Sequence, residues 1–167
     1  MSLSRRDMFR GLVDPTLWQR QSRRIPLPYT ADPSALRQTC LECRSDSDAP
    51  PPCLTSCPED IIVLGEDGTP HLDLMHSGCT FCGDCATACS HDALLPESGP
   101  RISARIALDQ GTCLAWLGTM CQSCADRCEE KAIRFERLMK PILDTDCCTR
   151  CGWCVGACPV QSIEIRV

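Results

Sequence analysis

The sequence predicts an α+β protein, mostly loop, built as two tandem modules in which short helices and β-hairpins surround cysteine-bearing loops. Three observations predict it. Of 167 residues, 17 are cysteine, an extreme composition. Sixteen of them fall into four groups of similar rhythm. Short apolar runs separated by turn residues follow the groups, the pattern of hairpins. The apolar fraction of 43% is inflated by cysteine, and the aromatics are only three Trp, three Phe and one Tyr. Modules of about 65 residues drawn from that stock need a staple, either disulfide or metal.

Compartment decides which staple. The longest apolar stretches near the start are Met8-Phe9 and Leu12-Val13, far short of a secretory core. No run approaches transmembrane length. The expected location is therefore a reducing cytoplasm, where cysteine clusters more often bind metal than form disulfides. Residues 1–24 carry six Arg against two Asp, net +4, and the rest carries net −9. An acidic body argues against nucleic-acid binding.

The first group is Cys40, Cys43, Cys53 and Cys57, followed by Pro58. The second is Cys79, Cys82, Cys85 and Cys89. The third is Cys113, Cys121, Cys124 and Cys128, and the fourth Cys148, Cys151, Cys154 and Cys158, followed by Pro159. Every group closes on C-x3-C. Repetition at this scale outranks local readings of secondary structure.

Between groups, Ile61–Leu64 and His71–Leu74 flank a Gly65–Gly68 turn and predict a hairpin. Ile133–Phe135 and Pro141–Leu143 repeat the idea, and Ile163–Val167 predicts a terminal strand. Pro58 and Pro159 suit the first position of a helix. Each repeat thus predicts a cysteine loop, a helical turn or two, then a strand. Residues 44–52 predict a Pro-rich surface loop. The expected organisation is a basic tail over 1–35, with a short helix (residues 4–13) and a Pro-bearing linker (residues 20–35), a first module over 36–100 and a second over 101–167.

A C-x2-C-x2-C run wraps three thiolates around one small object. A [4Fe–4S] cube needs four, and in two-cluster ferredoxins the fourth cysteine, after x3, serves the other cluster. The second and fourth groups match without deviation. The first and third have one stretched spacer each, which costs little in loop closure. The sixteen cysteines named above are thus the candidate cofactor-binding and metal-ligating residues for four [4Fe–4S] clusters, in ferredoxin-like two-cluster modules. Zinc is the alternative, but it favours two separated C-x2-C hooks. Sequential pairing of groups is favoured: Cys57 with Cys79, Cys82 and Cys85, and Cys89 with Cys40, Cys43 and Cys53. Cys128 then joins Cys148, Cys151 and Cys154, and Cys158 joins Cys113, Cys121 and Cys124. A nested pairing, first group with fourth and second with third, remains open.

Cys147 falls outside the rhythm and is expected to be a small buried hydrophobe or an idle thiol. His71, His76 and His91 are expected at the surface or in hairpins, and Trp116 and Trp153 as apolar shielding. Gly83 and Gly152 occupy matching places and are expected to let backbone approach sulfur. No nucleophile with a base and no phosphate-binding loop is present, so an enzyme is not expected. Electron transfer or storage remains.

Cys113-Leu-Ala-Trp116, the stretched spacer, Cys121-Gln-Ser-Cys124-Ala-Asp-Arg-Cys128 and Ala132-Ile-Arg-Phe135 together resemble the NapF family of ferredoxin-type proteins, and the resemblance runs over nearly the whole chain. It implies a cytoplasmic accessory protein that binds the catalytic subunit of periplasmic nitrate reductase before export and assists its maturation through iron–sulfur cluster assembly. A general electron-transfer polyferredoxin of a respiratory chain is the alternative. Ser4-Arg5-Arg6-Asp7-Met8-Phe9 also resembles a twin-arginine motif but lacks the following apolar core. A basic capped helix is the plainer reading.

Overall fold

The computed structural model describes residues 24–46, 49–137 and 140–167. The helix expected over residues 4–13 and the twin-arginine-like stretch lie outside the described residues. The elements, in chain order, are α1 (Leu36–Ser45), α2 (Pro52–Thr55), β1 (Ile62–Leu64), β2 (Pro70–Leu72) and α3 (Asp84–Thr87). They continue with a 3₁₀ turn (Pro96–Ser98), β3 (Arg105–Leu108), α4 (Ser123–Asp126), β4 (Ile133–Glu136), β5 (Lys140–Leu143), α5 (Trp153–Gly156) and β6 (Ile163–Arg166). Most of the chain is loop, as expected. Among the described residues no helix is long and apolar enough to cross a membrane.

The two expected hairpins form: β1 pairs antiparallel with β2, Val63 opposite His71, and β4 with β5, Arg134 opposite Ile142. At the first turn Gly68 takes φ +77°, and Arg24 pairs with Asp67. The terminal strand β6 also forms. Its partner β3, Leu108 opposite Ile163, was not anticipated, because Arg105-Ile-Ala-Leu108 is too short to show a clear alternation.

A fourfold repeat is visible in the backbone. Each four-residue helix carries the third cysteine of its group: Cys53 in α2, Cys85 in α3, Cys124 in α4 and Cys154 in α5. Three residues after each closing cysteine the chain turns left-handed, at Asp60, Asp92, Lys131 and Gln161 (φ between 51° and 54°). The next residue then enters a strand-like pairing. The carbonyls of Ile61, Ala93, Ala132 and Ser162 accept N–H bonds from Asp73, Ala31, Asp144 and Asp109 (2.7–3.1 Å).

This corrects the helix expected after Pro58 and Pro159. The helical turn lies before the closing cysteine. The prolines open a β-turn in which Asp60 and Gln161 donate N–H to the carbonyls of Cys57 and Cys158. Only three residues separate each closing cysteine from its strand-like pairing, too few for a helix, and proline suits the second place of a turn as well as a helix start.

The linker reading of residues 20–35 also changes where the chain is described. Ile25 bridges Leu72 and Thr30 bridges Leu94, while Leu27 (1% exposed), Pro28 and Tyr29 are buried. The segment plays in the first half the part that β3 plays in the second: Ala31 donates to Ala93 as Asp109 donates to Ser162. The prolines disguise it because they break the propensity of a strand while an edge position tolerates them. The Pro-rich stretch before Cys53 also does more than cover the surface, for Pro51 is buried.

Two apolar clusters result. The first gathers Leu27, Leu72, Leu74, Leu94 and Ile102. The second gathers Ile106, Ile133, Val155 and Ile163. Ile165 packs against both, so β6 ties the halves together. Between the halves the backbones approach closely. A methyl group on Gly152 (φ +88°) would lie 2.6 Å from the Leu74 side chain, and one on Gly156 2.6 Å from the Met75 carbonyl oxygen.

If residues 25–30 belong to the core, Leu27→Ala should destabilise the protein by about 2–5 kcal/mol in anaerobic denaturation. A loss below about 0.5 kcal/mol, the range of surface substitutions, would return the segment to a linker.

Candidate metal centres

The folding pattern gathers the cysteines into four cavities. Cys40, Cys43, Cys53 and Cys89 line the first, of about 420 Å³ including its mouth. Cys57, Cys79, Cys82 and Cys85 line the second, about 350 Å³. Cys113, Cys121, Cys124 and Cys158 line the third, and Cys128, Cys148, Cys151 and Cys154 the fourth, each about 300 Å³. Each cavity takes three sulfurs from one group and one from its sequence neighbour. This is the sequential arrangement; the nested one is not what the fold builds.

Local structure explains the exchange. The helix that carries the third cysteine ends two residues before the fourth, so the two thiols are not held on one helix face. Cys53 therefore faces the first cavity and Cys57 the second, and Cys85 and Cys89 part in the same way. The α1 helix places Cys40 and Cys43 one turn apart on one face, where residues three apart are neighbours. The stretched third group reaches its cavity over a loop in which the Cys113 carbonyl accepts from Leu117. The Trp116 indole N–H anchors that loop to the Pro141 carbonyl at 3.1 Å.

The sulfurs meet backbone donors. Phe81 N–H donates to Cys79 Sγ at 3.4 Å, with Phe81 itself left-handed (φ 56°). Ala132 N–H donates to Cys128 Sγ at 3.3 Å, and Ser162 N–H to Cys158 Sγ at 3.2 Å. Tyr29, absent from any sequence expectation, lines the second cavity and fixes Phe81 by donating its hydroxyl to the Phe81 carbonyl at 2.7 Å. Trp153 lines the fourth cavity beneath the Arg127 guanidinium, 5.1 Å from its ring centre. Trp116 is not among the residues that line the third cavity; its ring lies under the Lys140 ammonium at 4.6 Å.

No disulfide links any of the 17 cysteines. Among the described residues no three His, Cys, Asp or Glu side chains converge as the ligands of a single ion would. Instead four sulfurs ring each cavity, a donor set and spread that suit a multi-iron cube with a thiolate at every corner. Cys147 lies outside all four cavities, exposed, with its thiol 3.4 Å from an Asp144 carboxylate oxygen. That carboxylate pushes the Cys147 thiol up, against the thiolate form. His91 borders the first cavity and pairs with Asp46 at 2.9 Å. His71 sits in β2 with a buried Nδ1 that finds no partner.

Burial dominates the acidity of the cavity thiols. It pushes Cys40, Cys79, Cys85 and Cys124 up to about 11, and Cys53 and Cys154 up to about 12, with neighbouring sulfurs adding to the shift. Without metal these groups are neutral thiols at pH 7. A bound metal deprotonates them outright. In the metal-free chain the unfolded state, with thiols near 9, loses its protons before the folded state does. Stability present below pH 9 should therefore fall as pH rises toward 11–12, because the folded state binds more protons there. Denaturation followed by circular dichroism at pH 7, 9 and 10 checks this; a constant or rising midpoint would contradict it.

The 4Fe-4S binding domain family matches residues 141–164, the stretch that carries the fourth cysteine group. The ferredoxin-type protein NapF of Escherichia coli (strain K12) is 30% identical over 150 residues, covering 87% of this chain and 87% of that protein. NapF of Haemophilus influenzae is 30% identical over 143 residues, covering 83% and 77%. The methylamine utilization ferredoxin-type protein MauM of Methylobacillus flagellatus is 31% identical over 136 residues, covering 69% and 58%. Identity sustained across most of both chains, on a fold that rings cavities with cysteine, places this protein in the NapF family of ferredoxin-type, 4Fe-4S-binding proteins.

Proposed function

We propose that the chain holds four [4Fe–4S] clusters, one per cavity, and serves as a cytoplasmic accessory protein to the catalytic subunit of periplasmic nitrate reductase. In this reading it binds that subunit before export and assists assembly of its iron–sulfur cluster. The single observation that supports the cofactor count is the distribution of sulfur: four cavities, each with four cysteines, three from one group and one from the next. Family membership supports the partner. When bound, a [4Fe–4S] cube accepts and returns single electrons. The chain's own residues supply the thiolates, the N–H groups that stabilise charge on sulfur, and the apolar walls that exclude water.

A second reading, a polyferredoxin that passes electrons along a respiratory chain, is favoured by the junction between the halves. Cys79, of the second cavity, donates its N–H to the carbonyl of Cys151, of the fourth, at 2.7 Å. Gly78 packs there against Trp153. A backbone hydrogen bond that joins two cysteine-bearing loops directly brings the second and fourth sites together, as electron passage between them requires.

Two measurements test these readings. Anaerobically prepared protein should contain about sixteen iron atoms per chain, and Cys82→Ala should lose about four of them together with stability of the first half, since metal binding is folding energy. Full iron in Cys82→Ala would remove Cys82 from the ligand set. In cells lacking the protein, the maturation reading expects the reductase subunit to be made but inactive even with an artificial reductant. Normal activity under that assay would leave the carrier reading.

A further inference from the structure

One buried polar side chain lines a cavity without being one of its four sulfurs. Ser162 is 1% exposed and is the only buried polar side chain among the described residues. Its Oγ lies 3.1 Å from Cys158 Sγ, and its N–H lies 3.2 Å from the same sulfur. A coordinated thiolate carries no proton to give, so the serine hydroxyl donates. The repeat supplies three internal comparisons. Ile61, Ala93 and Ala132 stand at the same place after Cys57, Cys89 and Cys128, and each lines its own cavity as Ser162 lines the third. Their side chains carry no hydroxyl. Ala132 keeps the backbone bond to Cys128 Sγ at 3.3 Å but offers nothing else. The fold thus accepts an apolar residue at this place three times in four. Burying a hydroxyl costs free energy unless it is bonded, and the one atom it meets here is a ligand sulfur. In the same cavity Ser123 Oγ stands 3.9 Å from Cys121 Sγ, a second and weaker hydroxyl contact.

We infer that Ser162 is a tuning residue: its hydroxyl bond to Cys158 gives the cluster at Cys113, Cys121, Cys124 and Cys158 the highest reduction potential of the four. The inference rests on the cluster reading above. Reduction adds one negative charge, part of which falls on the thiolate sulfurs. A donor aimed at sulfur stabilises that charge more than it stabilises the oxidised state, and hydrogen bonds to sulfur are among the levers that set cluster potentials. The site is dry, so the bond acts in a low dielectric, where it is stronger.

Anaerobic titration of the full cluster-bearing chain with dithionite, followed by EPR, tests it. Ser162→Ala should lower the midpoint of one cluster and leave three unmoved. The reduced-to-oxidised ratio at fixed potential should fall by up to roughly tenfold, about 59 mV for one electron. Ser162→Thr, which keeps the hydroxyl, should restore it. Ala132→Ser should do the reverse, raising the midpoint of the cluster that holds Cys128. In the unsubstituted protein, the first signal to appear should be the one missing from Cys121→Ala. An unmoved midpoint in Ser162→Ala and Ala132→Ser, an equal shift of all four clusters, or a first signal that survives Cys121→Ala overturns the inference. If the unsubstituted protein holds no iron, the cluster reading itself fails; if it holds full iron and the midpoints do not respond, only the role of Ser162 fails.

Discussion

The structure depends on one constraint: the third cysteine of every group sits in a four-residue helix that ends before the fourth, and the two line different cavities. Cys53 and Cys57 part company by geometry, as do Cys85 and Cys89, Cys124 and Cys128, and Cys154 and Cys158. Each cavity must borrow a sulfur from its neighbour. That borrowing joins consecutive groups into pairs and determines the hairpins that must lie between them. The left-handed residue three places on, then the strand-like carbonyl, follow in all four repeats because the chain must reverse at once to bring the next group back.

Burial and binding pull against each other in the same atoms. The walls that keep water out raise the thiols to about 11 or 12, so burial alone disfavours the charge that a ligand needs. The inward N–H of Phe81 offsets part of that cost at Cys79. The remainder must come from metal, whose binding adds to the stability of the folded chain.

The cavity-lining cysteines, their grouping, the hairpins and the terminal strand were legible because spacing and period survive in one dimension. Four things were not. Ile25–Tyr29 hides a strand-like core segment behind two prolines. Pro58 and Pro159 are compatible with both a helix start and a turn, and only the short distance to the next pairing decides. Ser162 is an ordinary serine in the sequence and becomes informative only when laid beside Ile61, Ala93 and Ala132. Tyr29 lies fifty residues from the cysteines it covers, and no local signal could have found it.

The pairing of neighbours has a consequence for biosynthesis. All eight sulfurs of the first two cavities lie at or before residue 89, whereas the fourth cysteine group begins only at Cys148. Nascent chains emerge amino end first, so the amino-terminal pair can be completed while its carboxyl-terminal counterpart does not yet exist. A nested arrangement would have kept Cys40 and Cys43 unprotected until the last codons were read.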